Sequence, residues 1–131
     1  MVRAASAAAL GRGRPSDGRQ AAGQLAEARA AAYLESQGWQ ILLRNFRRRG
    51  GELDIVARQH DVLVVAEVRM RSREDFGGAA ASVDHRKQRR IIATAALLLQ
   101  TRPALARYRV RFDVLVVRDG TIDWIQHAFT A

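Results

Sequence analysis

Gly51-Glu52-Leu53-Asp54-Ile55-Val56-Ala57, the polar link Arg58-Gln59-His60-Asp61, and Leu63-Val64-Val65-Ala66-Glu67-Val68-Arg69 together decide how this chain folds. Two short aliphatic runs around a polar loop read as a β-hairpin. Alternation puts Leu53, Ile55 and Ala57 on one face of the first strand and Glu52, Asp54 and Val56 on the other. On the second strand Leu63, Val65, Glu67, Arg69 and Arg71 share a face. A loop centred between Gln59 and His60 would pair residues whose numbers sum to about 119. Asp54 then faces Val65, Glu52 faces Glu67, and Asp54 and Glu67 become diagonal neighbours about 7 Å apart. Like charges crowded on one side of a sheet destabilise it unless something positive lies between them. Two arrangements meet that need: a divalent metal ion, or ion pairs with Arg47, Arg49, Arg69 and Arg71.

Outward from the hairpin, the chain alternates helical and extended patterns. Residues Arg19 to Gln37 are rich in Ala, Gln, Glu, Leu and Arg, which favour a helix, and Gly38 suits its C-terminal cap. Gly23 inside that helix is unusual and points to a close backbone approach or a frayed first turn; Glu27 follows one turn later on the same face. Trp39 to Phe46 reads as a strand, and Arg47-Arg48-Arg49 before Gly50-Gly51 as a basic loop suited to contacting a phosphate backbone. Residues Ser72 to Ala81 read as a polar loop in which Phe76 is a candidate for stacking on a base. Ser82 or Asp84 can cap a second helix that runs to about Gln100 and stops at Pro103. Its apolar face is Ile91, Ile92, Ala95, Leu98 and Leu99. Its first turns carry Arg86, Lys87, Arg89 and Arg90, where free N–H groups and the helix dipole favour an anion. Strands follow at Arg109 to Val117 and Thr121 to His127, linked by the turn dipeptide Asp119-Gly120. The expected class is α/β, in the order α-β-β-β-α-β-β, with one mixed sheet flanked by helices. The long helix between the third and fourth strands permits a parallel crossover.

Composition narrows the function classes. A chain of 131 residues that is 48% apolar can build one domain with a real core. We assign it residues 19–131 and read residues 1–18 as a disordered Ala/Arg/Gly tail. Lys and Arg number 22 against 13 Asp and Glu, a net charge of +9, which suits a polyanionic partner such as nucleic acid. Cysteine is absent, which rules out disulfides and thiolate zinc sites and fits a reducing cytoplasm. No apolar run approaches the ~20 residues of a membrane helix. His60, His85 and His127 lack metal-ligand spacing, and no phosphate loop or acyl-transfer arrangement is present.

The pattern Gly23-x3-Glu27, Gly51-Glu52-Leu53-Asp54, Glu67-Val68-Arg69 and Gly77-Gly78-Ala79-Ala80-Ala81-Ser82-Val83 resembles the YraN-type proteins. These are small bacterial proteins of the restriction-endonuclease-like fold, similar to archaeal Holliday-junction resolvases. The resemblance implies a nuclease site in which Asp54 and Glu67 bind Mg²⁺ or Mn²⁺, with Glu27 and the Val68 carbonyl completing the set. It implies DNA rather than RNA as partner, branched or single-stranded, and a homodimer through the resolvase likeness. A hard divalent cation takes oxygen ligands and makes bound water a nucleophile, so the residue types suit the chemistry. Arg69 would position water or phosphate, with Glu52 orienting a basic side chain nearby. Arg47, Arg48, Arg49, Arg71, Arg86, Lys87 and Arg90 would contact the nucleic-acid backbone. Such nuclease signatures carry lysine where Arg69 stands; arginine keeps the phosphate fork but cannot shed a proton. The alternative is therefore a binding module that keeps the fold without cleavage, and an internal salt-bridge network is a third reading.

Overall fold

The computed structural model describes residues 17–71 and 83–131; the expectations for residues 1–16, the loop around Phe76 and the Gly77–Ser82 stretch lie outside them. Helix α1 spans Asp17–Ser36, followed by strands β1 Gln40–Arg48, β2 Gly51–Gln59 and β3 Val62–Met70. Helix α2 spans His85–Thr101 and leads through a short 3-10 turn at Pro103–Arg107 into β4 Arg109–Arg118 and β5 Thr121–Phe129. This is the expected element order. The sheet order is β1-β2-β3-β4-β5, antiparallel throughout except for the parallel β3/β4 pair that the α2 crossover makes.

Each sheet face carries its own core. Ala26, Ala30, Ala31 and Leu34 of α1 pack with Trp39, Ile55, Ala57, Val64, Ala66, Leu115 and Val117. Small alanines let α1 lie close to the sheet, and Gly38, at φ +92°, ends the helix in the left-handed region that glycine tolerates. On the other face Ile91, Ala95 and Leu98 of α2 pack with Leu53, Val56, Leu63, Val65, Phe112, Val114 and Val116. Asp84 caps α2 by accepting a 2.8 Å hydrogen bond from the Lys87 N–H. A Cβ at Gly51 would collide with Thr94 Oγ1, so this glycine sets how closely α2 rests on β2. Among the described residues, no helix is long and apolar enough to cross a membrane.

The hairpin departs from expectation in two ways. Gln59 pairs with Val62 and Val56 with Val65, so the turn is centred between His60 and Asp61. Asp54 therefore does not face Val65, nor Glu52 Glu67. The cause is local: His60 adopts φ +54°, closing a two-residue turn, while Arg109 binds Asp61 through its guanidinium at 3.0 Å and its own N–H at 2.8 Å. The second departure is in the alternation. Leu53 packs with the α2 core and Ile55 with the α1 core, so the apolar row changes face at Asp54. Asn45, opposite Asp54 in the β1/β2 register, has φ +58°, the kink on the partner strand that this crossing requires.

The basic run also reads differently in three dimensions. Arg47 and Arg48 belong to β1, paired with Glu52 and Gly51, and only Arg49 and Gly50 form the turn. Gly50, at φ +88°, makes so tight a reversal possible. The expected arginine loop is thus a strand end, which fixes where two of its three side chains project.

Candidate metal centre and nucleic-acid interface

The pairing of β2 with β3 stops at Ile55 and Ala66, although β3 stays buried through Glu67 and runs on to Met70. Past that point the Val68 N–H donates to Asp54 Oδ2 at 2.9 Å instead of to a backbone carbonyl. A side chain has replaced the ladder, and the two strands part. The opening is a cavity of about 600 Å³. Glu27 of α1, Glu52 and Asp54 of β2, and Glu67 and Val68 of β3 line it, so every acidic residue singled out in the sequence reaches one space.

Four carboxylates line one cavity, and burial together with mutual repulsion opposes the ionisation of Asp54 and Glu27. Carboxylate oxygens of Glu27, Glu52 and Asp54 all lie within 4.8 Å of one another, with Glu27 half-buried, Glu52 exposed and Asp54 buried. Burial pushes the Asp54 carboxyl up to about 8, helped by Glu67 and Glu27, while the Val68 N–H pulls the other way. Burial also raises Glu27 above its ordinary value, partly offset by the Asn45 side chain and the Arg44 charge. Glu27 Oε1 is buried with no hydrogen-bond partner among the described residues. A buried anionic oxygen without a donor is costly. Placed beside two further carboxylates, it is what an oxygen-seeking divalent cation would satisfy, so the donor set fits Mg²⁺ or Mn²⁺. Glu52, expected in an orienting role, stands in the tight trio, while also accepting from Arg47 Nε at 3.0 Å on the exposed rim.

The cationic side of the cavity differs from the one read in the sequence. Lys87 reaches across from α2, its Nζ 3.0 Å from Glu67 Oε2, and Arg90 lines the same wall one turn on. Lys87 precedes Ile91 by four residues on the stripe that continues through Thr94, Ala95 and Leu98, the buried side of α2. That spacing was visible in the sequence and implied a lysine turned toward the sheet. Arg47 and Arg48 close the rim from β1. Arg69 lies elsewhere: half-buried, off the cavity lining, with its Nε lacking a partner among the described residues. Arg71 donates to the Met70 carbonyl at 2.8 Å, and the exposed Arg49 and Arg86 also lie off the lining.

Comparison with known proteins agrees in extent with this fold. The profile of the "Uncharacterised protein family UPF0102" matches residues 26–117, from α1 to the end of the β4 core. The chain belongs to this family. A UPF0102 protein of Janthinobacterium sp. (strain Marseille) is 44% identical over 122 residues, covering 90% of this chain and 94% of that one. One from Cupriavidus pinatubonensis (strain JMP 134 / LMG 1197) is 50% identical over 112 residues, 84% of this chain and 86% of its own. One from Pseudomonas putida (strain GB-1) is 43% identical over 113 residues, 82% and 92% respectively. The resemblance to the YraN-type proteins thus holds at family level. Within the UPF0102 span lie Glu27, Glu52, Asp54, Glu67, Lys87 and Arg90; Gly23 falls just before it.

One carboxylate escaped the sequence reading. Asp113 is completely buried on β4, gripped by Arg111 at 3.0 and 2.8 Å, Trp124 Nε1 at 2.9 Å and the His127 N–H at 2.9 Å. It pins β5 across the register shift between Phe112 and Val114. Its signal was an acid between Phe112 and Val114, where a strand core admits a charge only with built-in partners. It lies away from the cavity, and its role is structural.

Proposed function

We propose that the chain is a divalent-metal-dependent nuclease of the restriction-endonuclease-like type, hydrolysing phosphodiesters of DNA in the cytoplasm. The observation that carries this reading is the orphaned Glu27 Oε1 beside Asp54 and Glu52, facing the Lys87–Arg90 wall across one cavity. Glu27, Glu52 and Asp54 would hold Mg²⁺ or Mn²⁺, with Glu67 and Val68 at the margin. The ion, when bound, supplies an activated water and charge to offset that building on the phosphorus oxygens. The chain's own part is to orient and to balance charge. Asp54 is fixed by the Val68 N–H at Oδ2, so its other oxygen keeps one direction. Lys87 and Arg90 hold the scissile phosphate opposite the carboxylates, the cationic duty that the sequence pattern assigns to Arg69. Arg47 and Arg48 steer flanking phosphates, with Arg49, Arg71 and Arg86 further out on the basic surface. A homodimer, by likeness to the resolvases, would present two such sites to a branched substrate.

The second reading, a nucleic-acid-binding module without cleavage, is favoured by Arg69 lying off the cavity and Lys87 already engaged with Glu67. One assay separates them. Labelled single-stranded, flap and four-way-junction DNA are incubated with the protein, with and without Mn²⁺, beside Asp54→Ala and Glu67→Ala. Mn²⁺-dependent cleavage lost in both variants supports the nuclease; binding without cleavage supports the module. Cleavage that survives both substitutions belongs to a contaminant.

A further inference from the structure

Gly23 stands in the body of α1, the seventh residue of the helix, and lines the cavity one turn before Glu27. Only proline is a poorer helix former, so a glycine here needs a reason. Three internal reasons are absent. Its φ is not positive: the positive-φ glycines are Gly38, Gly50 and Gly120. A Cβ built at Gly23 would meet nothing within 4 Å among the described residues, in contrast to Gly51, whose Cβ would strike Thr94. Nor does Gly23 end or cap the helix, which runs on to Ser36. Neither backbone conformation nor packing against the described residues explains the missing side chain. On the cavity lining, the bare position leaves room for a partner that comes closer to the α1 backbone than a side chain would permit.

We infer that Gly23 is a seat for the sugar–phosphate backbone of a bound nucleic-acid strand, the bare wall against which the strand lies as its phosphates face Lys87 and Arg90. The chemistry of the cavity selects this occupant. Lys87, Arg90, Arg47 and Arg48 share the lining with the carboxylates of Glu27, Glu52, Asp54 and Glu67, so an occupant that meets both brings anionic groups to the cations and leaves the carboxylates to a divalent ion. Gly23 and Ala26 bring no polar side chain to the lining beside Glu27, which suits the C–H face of a sugar and not a phosphate. Gly23 is thus a positioning residue for the substrate strand, and this assignment rests on the nucleic-acid reading given above.

The test uses the full chain with Gly23→Ala and Gly23→Leu. Melting temperature, Mn²⁺ affinity by calorimetry without DNA, and affinity for fluorescein-labelled single-stranded and four-way-junction DNA in Ca²⁺ are measured for each. Gly23→Ala is expected to melt about 3–5 °C higher, because the helix gains a better residue. DNA affinity is expected to fall roughly 3- to 10-fold in Gly23→Ala and about 30-fold or more in Gly23→Leu, from overpacking at the contact. Mn²⁺ affinity should stay at the wild-type level in both. Stability and binding thus move in opposite directions, which a purely structural glycine does not produce. A lower melting temperature in Gly23→Ala would overturn the inference, since the glycine then serves the fold. DNA binding by Gly23→Leu within twofold of wild type would overturn it too, as would a parallel loss of Mn²⁺ affinity. If wild-type protein binds no DNA while taking up Mn²⁺, the nucleic-acid reading fails first and this inference falls with it.

Discussion

Asp54→Asn should reverse the stability order of the two proteins as pH rises. In the unfolded chain the Asp54 carboxyl loses its proton near the ordinary value of 3.8; in the folded one burial and the nearby Glu67 hold the proton to about 8. Between those limits the native state binds more protons than the unfolded state, so stability falls as pH increases. The contribution is complete below the unfolded value, declines by at most ~1.4 kcal/mol per pH unit, and levels off above the folded value. Across the whole window the loss is on the order of 5 kcal/mol, an upper figure because Lys87 screens Glu67. That is a large share of the stability of a domain this size. Asparagine can still accept the Val68 N–H and has no proton to lose, so D54N escapes the penalty. Urea denaturation with EDTA at about pH 5.5, 7 and 9 should show wild type and D54N close at the acid end. D54N should be the more stable at the alkaline end. Adding Mn²⁺ at the alkaline end should restore wild type, whose ionised carboxylates then have a partner, and leave D54N behind. Parallel stability–pH curves for the two proteins would refute the electrostatic account. Failure of Mn²⁺ to stabilise wild type would refute the metal centre.

Other perturbations test the walls of the site and the frame behind it. Lys87→Met removes the cation that competes for Glu67, so calorimetry should show tighter Mn²⁺ binding while DNA affinity drops about tenfold; Lys87→Arg should retain most of the DNA affinity. Glu27→Gln can donate through its amide and removes one repelling charge, so the metal-free protein should gain about 1–2 kcal/mol in urea titrations at alkaline pH. The same variant should bind Mn²⁺ more weakly. Gly51→Ala drives a Cβ into Thr94 and should cost about 1–3 kcal/mol, with Gly51→Ala/Thr94→Ala recovering much of it. Asp113→Ala leaves Arg111 and the Trp124 N–H without their partner and should cost about 3–5 kcal/mol, followed by thermal melting and tryptophan fluorescence.

What could be read without coordinates was whatever repeats within a single element. The two-residue period marked out the five strands, the helical stripe of Ile91, Ala95 and Leu98 marked α2, and its length foretold the parallel β3/β4 pair. The acidic residues were legible because charges interrupt apolar strands at Asp54 and Glu67, and the Asp84 cap because its position before the helix needs no distant contact. Facts that depend on how elements meet were out of reach. A left-handed His60 moved the hairpin centre by one residue and so every partner across it by two. The kink at Asn45 and Asp54 broke the alternation and turned Leu53 to the face opposite Ile55, while the Gly50 reversal drew Arg47 and Arg48 into β1. The bare Gly51 allowed Thr94 of α2 to settle against β2, which delivered Lys87, not Arg69, to the carboxylates. Periodicity is a property of one strand or one helix, so sequence alone carries it; register and helix-to-sheet phasing arise from contacts between residues far apart along the chain, so only the folded structure could decide them.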